Sequence, residues 1–295
     1  MATPLLAAEF DHRMPVELLS GKVRVMKVFV ITGASDGIGA EMARQLARAH
    51  GAEAALVLAA RNQQKLEAVA QQCRELGAKA ECVMTDVAQE AQCRALIDKT
   101  LQRFGSIDVL VNNAGMSAHA LFSDVRAQDL HWYEDLMRVN FWGAVWCTHA
   151  ALPQIKKSRG SIVAVSSLAG LVAVPGRNAY SATKFAMAGF FEALRAELKP
   201  SGVSVTVAYP GVVATETRRR GYNAKGEAAG TSGLKEDDAM SIETCAKLIL
   251  DGMNRRDREV VMTARGKLGR ILKLIAPGLI ENMAIAALAD EVKPH

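Results

Sequence analysis

The chain has 295 residues, half of them hydrophobic, which suits one large α/β domain or at most two small ones. Its net charge is +5, but the segment 255–273 alone carries seven Lys/Arg against two acids, so the remainder is near neutral and a general nucleic-acid binder is disfavoured. The five cysteines show no C-x-x-C spacing, which indicates reduced cytosolic thiols and neither a disulfide framework nor a metal site.

The first residues, 1–25, precede any strand pattern and are interpreted as an N-terminal extension. They carry no basic n-region, so no secretory signal is expected, and no run in the chain reaches the roughly 18 apolar residues that a membrane-spanning helix needs. Mean hydropathy is close to zero. These features favour a soluble, cytoplasmic protein.

Short β-rich runs alternate with helical patterns from residue 27 onward. Several runs are almost continuously apolar, as expected of parallel strands covered on both faces. The candidate strands are KVFVIT (27–32), AALVLAA (54–60), AECVMTD (80–86), IDVLVNNAG (107–115), SIVAVSS (161–167), VSVTVAYP (203–210) and REVVM (258–262). The alternation predicts a doubly wound parallel α/β sheet of about seven strands, a Rossmann fold, in one domain over 26–262.

A glycine-rich turn follows the first strand and opens a helix. Gly33, Gly37 and Gly39 give the spacing G-x-x-x-G-x-G. Glycine lets a backbone turn tightly and approach a pyrophosphate, and a helix N-terminus offers free N–H groups and a positive dipole end. The turn therefore predicts a dinucleotide site, the alternative being a turn that only connects strand to helix.

The end of the second strand bears on the choice of cofactor. A sheet that prefers NAD places an acid there, but this chain has Ala60 followed by Arg61. A carboxylate would repel a 2′-phosphate and Arg61 would attract it, so the sequence predicts NADP(H), with NAD(H) as the alternative. Asp36, inside the glycine turn, brings negative charge close to the same place.

Five short motifs occur in order along the chain: TGASDGIG (32–39), NNAG (112–115), the serine pair 166–167, Tyr180-x-x-x-Lys184 and PGVVAT (210–215). With them the chain resembles the single-domain branch of the short-chain dehydrogenase/reductases, and within it the hydroxysteroid-dehydrogenase-like members. The resemblance covers roughly residues 25–262. It implies an oxidoreductase that interconverts a secondary alcohol and a ketone or aldehyde.

The resemblance also implies roles for individual residues. Tyr180 corresponds to the catalytic acid/base, Lys184 to the lysine that binds the nicotinamide ribose and lowers the tyrosine pKa, Ser167 to the serine that polarises the carbonyl, and Asn140 to the asparagine that holds a water behind the lysine. The implied cofactor contacts, together with Tyr180, Lys184 and Arg61, are Gly33, Ser35, Gly37, Ile38, Gly39, Asp86, Val87, Asn113, Ala114, Gly115, Pro210, Gly211, Val213 and Thr215. Asp86 has a second interpretation, as the cap of the next helix with Gln89 reaching back to it.

The pairing of Tyr180 and Lys184 has a chemical reason independent of the resemblance. Carbonyl reduction needs a proton for the developing alkoxide, and a free tyrosine with a pKa near 10 holds its proton too tightly at neutral pH. An ammonium one helical turn away favours the phenolate and lowers that pKa. The alternative is a buried tyrosine beside an unrelated surface lysine.

The sequence gives only weak indications of the substrate. The apolar segment LAGLVAVPG (168–176) hints at a lipophilic alcohol or ketone, and the irregular segment 215–240 lies where such enzymes carry a mobile substrate lid. Two other classes stay open: a non-catalytic nucleotide-binding regulatory or scaffold protein, and an epimerase or dehydratase of the extended branch. The resemblance further implies a homodimer or homotetramer with contacts through the helices around 131–152 and 178–199.

The C-terminal tail, 263–295, interleaves cations with an apolar stripe. Arg265, Lys267, Arg270 and Lys273 alternate with leucines and isoleucines until Pro277 and Gly278 interrupt the pattern. Such a helix suits an anionic membrane surface. The alternative is that the stripe packs on the domain or on another subunit while the cations face water.

Overall fold

Seven parallel strands form one sheet in the order β3-β2-β1-β4-β5-β6-β7. The computed structural model that shows this describes residues 26–230 and 239–292, with side chains up to residue 286. All seven predicted strands are confirmed, most of them shortened at one or both ends. They are β1 (Lys27–Thr32), β2 (Ala54–Ala60), β3 (Lys79–Met84), β4 (Val109–Asn112), β5 (Ser161–Val165), β6 (Ser204–Tyr209) and β7 (Glu259–Val261).

Helices separate the strands, as the alternating pattern predicted, and two more helices follow the last strand. They are α1 (Gly37–His50), α2 (Gln63–Glu75), α3 (Glu90–Phe104), α4 (His131–Met137), α5 (Gly143–Ser158), α6 (Asn178–Leu198), α7 (Ile242–Arg255), α8 (Ala264–Ile275) and α9 (Pro277–Val292). A π-helical turn over Arg138–Trp142 joins α4 to α5.

The core lies in two layers, one on each face of the sheet. Along β1 the side chains alternate, with Phe29 and Ile31 in the layer that contains α1, α2 and α7, and Val30 in the layer that contains α3, α5 and α6. All seven residues of β2 are buried, because this strand has neighbours on both sides and helices on both faces. The doubly wound fold is therefore confirmed.

The strand order reverses between β1 and β4. Chain segments leaving the carboxyl ends of these two strands turn in opposite directions, which opens a crevice above that edge of the sheet. The glycine turn, the NNAG segment and the serine pair all follow carboxyl ends of strands near this crevice. The topology thus brings residues more than 100 positions apart to one edge.

The cap interpretation of Asp86 is wrong. Helix α3 begins at Glu90 with Gln89 at the N-cap position, and Gln89 makes no side-chain cap bond. Asp86 Oδ1 instead accepts a hydrogen bond from the Ala88 N–H at 3.0 Å, and the group that reaches back to the Asp86 N–H is Gln92 Oε1 at 2.8 Å. The Asp86 carboxylate forms a local turn after β3, and the helix starts four residues later, at Glu90.

The tail forms two helices that meet at Pro277, as its proline predicted. Gly266 and Gly269 of α8 face Leu168 and Val172, where an added Cβ would come within 2.4 Å and 3.6 Å of side-chain carbons. Lys273 Nζ donates to the Leu171 carbonyl at 3.0 Å. Most of the apolar stripe is exposed in the part of the chain that the structure describes: Leu274 is 81% and Ile275 73% exposed, whereas Leu272 is half-buried.

No helix among the described residues has both the length and the apolar character required to cross a bilayer. The predicted N-terminal extension and residues 231–238 of the predicted lid lie outside the described residues.

Candidate active site

The glycine turn between β1 and α1 is closed against the NNAG segment. Gly33 and Gly37 have φ angles of +67° and +55°, a backbone conformation that residues with a side chain rarely adopt. An added Cβ at Gly39 would lie 2.4 Å from the Gly33 carbonyl oxygen, and one at Gly33 would lie 2.8 Å from Ala114 Cα. Glycine is thus needed at these positions for the turn to close, before any ligand is considered.

Thr32 and Asn113 hold this turn in place. The Asn113 amide nitrogen donates to the Thr32 and Gly33 carbonyls at 3.0 and 3.2 Å, and the Thr32 hydroxyl accepts from the Asn113 and Ala114 N–H groups at 3.0 Å each. The Asn113 side chain is thereby committed to the chain itself. Sequence reasoning overlooked Thr32, although its place directly before the glycines was a signal.

A cleft of about 580 Å³ lies above the carboxyl ends of the strands. All the predicted site residues line it except Gly39, which lies beneath the turn, and Asn140, which is fully buried behind it. The structure thus brings together Ser35, Ile38, Arg61, Asp86, Val87, Gly115, Ser167, Tyr180, Lys184, Pro210, Gly211, Val213 and Thr215 with the turn itself.

Tyr180 and Lys184 lie one turn apart on α6, as their spacing predicted. Lys184 is only 3% exposed; its Nζ donates to the Val165 carbonyl at 3.0 Å and lies 5.7 Å from the centroid of the Tyr180 ring. Burial lowers the pKa of Lys184, and the nearby phenol opposes that shift. The ammonium is therefore anchored on β5 and directed toward the tyrosine.

The pKa of Tyr180 is lowered from its ordinary value. Burial by itself raises this pKa, but Lys184, Arg177, a hydrogen bond with the Ser167 side chain and Arg218 together outweigh burial. The Arg177 guanidinium carbon lies 4.7 Å from the ring centroid. Sequence reasoning foresaw Lys184 but neither arginine, although both line the cleft.

The serine pair divides into two roles. Ser166 is buried, and its hydroxyl donates to the Lys184 carbonyl at 3.2 Å, which ties β5 to α6. Ser167 faces the cleft, where its oxygen accepts from the Ala169 N–H at 3.2 Å and its side chain contributes to the lowered pKa of Tyr180. Ser167 is thus the member of the pair that lines the cleft beside Tyr180.

Asn140 links three parts of the site from behind. It lies in the π-helical turn, where its Oδ1 accepts from the Met116 N–H at 2.7 Å and its Nδ2 donates to the Met116 carbonyl at 2.9 Å and to Thr183 Oγ1 at 3.0 Å. An added Cβ at Gly115 would lie 3.2 Å from Asn140 Oδ1 and 3.6 Å from Lys184 Nζ. Asn140 thus fixes the loop after β4 against α6, and its role toward a water stays a prediction.

The opposite end of the cleft carries charge. Asp36 Oδ1 accepts from the Gly37 N–H at 2.8 Å and so caps α1, while its Oδ2 contacts Arg220 Nη2 at 2.8 Å and Lys65 Nζ at 3.3 Å. Arg61 is exposed in the same cleft and forms no hydrogen bond or ion pair within 26–230 and 239–292. The glycine turn thus meets a cluster of cations at this end.

Comparison with known proteins gives matches over most of the chain. The family model described as short chain dehydrogenase matches residues 27–225. Among curated relatives, 11-beta-hydroxysteroid dehydrogenase-like 2 of Arabidopsis thaliana is 34% identical over 271 residues, 91% of this chain and 84% of that protein. A second relative from the same plant, 11-beta-hydroxysteroid dehydrogenase 1A, is 37% identical over 86% of this chain and 73% of that protein.

Two solved structures share the architecture. A short chain dehydrogenase/reductase from Burkholderia phymatum in complex with NAD superimposes with a TM-score of 0.74 at 25% identity, covering 86% of this chain and 95% of that one. An alcohol dehydrogenase from the archaeon Thermococcus sibiricus, complexed with 5-hydroxy-NADP, gives a TM-score of 0.66 at 27% identity, covering 80% and 94%.

Proposed function

The chain belongs to the short-chain dehydrogenase family of oxidoreductases, and from that membership we propose that it is an NADP(H)-dependent enzyme interconverting a secondary alcohol and a ketone or aldehyde, with Tyr180 as acid/base. The observation that carries the proposal is the cleft in which Ser167, Tyr180 and Lys184 converge beside the glycine turn.

The residues present fit a nicotinamide dinucleotide. A Cβ added at Gly115 would approach Asn140 and Lys184, so glycine there keeps the cleft open above the lysine. The first turn of α1 offers the Ile38 backbone N–H for a pyrophosphate, whereas the Gly37 N–H is held by the Asp36 carboxylate. When bound, the nicotinamide ring supplies or accepts the hydride.

Proton transfer belongs to Tyr180. In reduction its Oη donates a proton to the carbonyl oxygen, and in oxidation the phenolate removes a proton from the alcohol. The lowered pKa brings the two states closer in free energy at neutral pH. The Ser167 hydroxyl is placed to donate a hydrogen bond to the same substrate oxygen and stabilise its developing charge.

Preference for NADP(H) rests on the end of β2. No acid stands there, and the exposed Arg61 guanidinium is available to a 2′-phosphate. The two solved relatives differ on this point, one holding NAD and the other 5-hydroxy-NADP. Because the relatives differ, the proposed preference for NADP(H) is argued from the residues of this chain.

We also propose that α8 and α9 contact an anionic membrane surface close to the substrate entrance, and that the substrate is lipophilic. The exposed faces of Leu274, Ile275 and Leu279 lie beside the basic residues of α8. Because Gly266 and Gly269 of α8 pack on Leu168 and Val172, the helix lies beside the segment that joins Ser167 to Arg177, and both of these residues line the cleft. A protein otherwise located in the cytoplasm would take up substrate there.

Self-association into a dimer or tetramer is the last part of the proposal. Trp142 is 44% exposed and stacks on Trp146 with ring centroids 5.8 Å apart, beside Tyr133 on the outer face of α4 and α5. Large aromatic side chains in such a position suit a subunit interface. The non-catalytic scaffold alternative has no comparable observation in its favour.

A screen of ketones and secondary alcohols tests the chemistry, with the absorbance of the reduced nicotinamide as the readout. We expect Tyr180→Phe to abolish turnover, a loss of at least about 10²-fold because general acid–base catalysis is removed, while cofactor binding is retained. Tyr133→Phe is the matched control, since the Tyr133 hydroxyl donates to Asn178 Oδ1 at 2.8 Å outside the cleft. Near-normal turnover by Tyr180→Phe on any accepted substrate would show that the assigned mechanism is wrong.

A further inference from the structure

One carboxylate oxygen at the charged end of the cleft holds two cations from distant parts of the chain. Asp36 Oδ2 contacts Lys65, in the first turn of α2, and Arg220, from the segment 215–230, which lie 29 and 184 residues away in sequence. Its other oxygen caps α1 through the Gly37 N–H. Asp36 can therefore release both cations without giving up the cap.

The charges around Asp36 match those of a phosphate group. Lys65 and Arg220 pair with Asp36 and Arg61 lines the same cleft, so these four side chains together carry a net charge of +2. A phosphate monoester carries about −1.5 to −2 at neutral pH and offers three acceptor oxygens. A nucleotide 2′-phosphate beside this cluster would neutralise it and could accept a hydrogen bond from each cation.

We propose that Lys65 and Arg220, in addition to Arg61, bind the 2′-phosphate of NADP(H), and that Asp36 is the counterion they leave when the phosphate arrives. This inference rests on the proposed function, because it assigns the cofactor specificity of the same site. Lys65 and Arg220 are 54% exposed, so both can turn from the carboxylate to a neighbouring phosphate oxygen.

The charge of Asp36 fits the part of a counterion. Partial burial opposes its ionisation, but the Gly37 N–H and the Lys65 and Arg220 charges prevail and lower its pKa. The carboxylate is thus ionised at neutral pH and competes with a phosphate for the same donors. Cofactors that lack a 2′-phosphate leave the pairs with Asp36 intact.

Arg220 also connects this cluster to the substrate side of the cleft. Two residues further on, the Tyr222 N–H donates to the Ser117 carbonyl at 3.0 Å, and the Tyr222 carbonyl accepts from the His119 N–H at 2.9 Å. The Ser117 hydroxyl accepts from Arg177 Nη2 at 2.6 Å, and Arg177 lies over the Tyr180 ring. A phosphate that holds Arg220 therefore steadies the segment 215–230 next to the catalytic tyrosine.

The first test measures NADPH and NADH binding in the absence of substrate, by fluorescence titration. We expect Lys65→Ala and Arg220→Ala each to raise the Kd for NADPH about tenfold, the effect of one charge-assisted hydrogen bond, and to change the Kd for NADH less than about twofold. Arg219→Ala is the matched control, because Arg219 is 55% exposed and pairs with Glu216 at 3.6 Å. It should change neither Kd.

Asp36→Asn supplies the opposite change. Asparagine can keep the cap of α1 but removes the competing charge, so NADPH should bind several-fold more tightly while NADH is unaffected. Equal weakening of both cofactors would overturn the counterion role. The Kd values of 2′,5′-ADP and 5′-AMP should change in the same way as those of NADPH and NADH. These two ligands lack the nicotinamide, so the difference between them reports on the 2′-phosphate alone.

Hydrogen exchange of the segment 215–230 tests the connection. NADPH should protect its amides more than NADH does in the wild type, and Arg220→Ala should remove that difference. If only Arg61→Ala lowered NADPH affinity, the inference would fail while the proposed cofactor preference stood. A wild type that binds NADH more tightly than NADPH would overturn both the inference and the proposed cofactor preference. If NADPH bound and the variants changed its Kd as expected, but no substrate were turned over, only the proposed reaction would be overturned.

Discussion

Tyr180 lies among three positive charges, and the sequence pointed to one of them. Lys184 follows from helical spacing, whereas Arg177 and Arg218 reach the phenol through the backbone turn before α6 and through the segment after β6. Burial opposes ionisation of the phenol, so the cations decide its acidity. Each cation should therefore affect the pH dependence of the reaction as well as its rate.

The first prediction concerns Arg177→Gln. Removing this charge should raise the apparent pKa of Tyr180, because one of the interactions that lower it is lost. Alcohol oxidation needs the phenolate, so its kcat/KM should fall several-fold at neutral pH and recover at high pH. Ketone reduction needs the phenol, so it should persist to higher pH than in the wild type. Arg177→Lys keeps the charge and should restore the profile; an unchanged profile in Arg177→Gln would contradict the assignment.

Residues within motifs could be predicted, and residues that act through long-range contacts could not. Gly33, Ser167 and Tyr180 can be identified from their spacing within short sequence motifs. The approach of Arg220 to Asp36 spans 184 residues and depends on how the segment after β6 folds back over the glycine turn. No periodicity encodes that path, which is why the pairing of Arg220 and Lys65 with Asp36 emerged only from the structure.

At the scale of elements, the hydrophobic pattern of the sequence located all seven strands but was less accurate for the residues at which they end. The predicted segment 107–115 contains only Val109–Asn112 as strand, because the NNAG residues leave the sheet to meet the glycine turn. The π-helical turn that positions Asn140 has no recognisable sequence signal. Pro277, by contrast, marks the junction of α8 and α9, since proline ends one helix and can begin the next.

The second prediction concerns the apolar face of α8. Leu274→Glu and Ile275→Glu place charge on side chains that are 81% and 73% exposed, so the fold should be unaffected. We expect the full chain to co-sediment with vesicles that contain anionic lipid at low salt, and each variant to reduce the bound fraction several-fold. Met84→Glu on edge strand β3, where Met84 is 51% exposed, is the control and should bind like the wild type.

The membrane proposal fails if the wild type stays in the supernatant with such vesicles. It fails equally if both α8 variants partition as the wild type does, since the apolar face would then make no contribution.

At the scale of the whole molecule, the third prediction concerns self-association. Trp142→Glu should shift the protein to a smaller species in light scattering at micromolar concentration, because it places charge at the centre of the exposed aromatic face of α4 and α5. Met84→Glu, at the far edge of the sheet, should leave the mass unchanged. A wild type that is monomeric at that concentration would contradict the proposed interface.

The buried ammonium of Lys184 has a consequence for thermal stability. Desolvating a charge costs several kcal/mol, and a hydrogen bond to the Val165 carbonyl offsets only part of it. Lys184→Met should therefore stabilise the free protein by about 1–3 kcal/mol, a rise in Tm of roughly 2–6 °C in differential scanning calorimetry, while turnover is lost. A lower Tm would mean that the hydrogen bond outweighs desolvation. A higher Tm together with lost turnover would show that the proposed catalytic lysine lowers the thermal stability of the wild type.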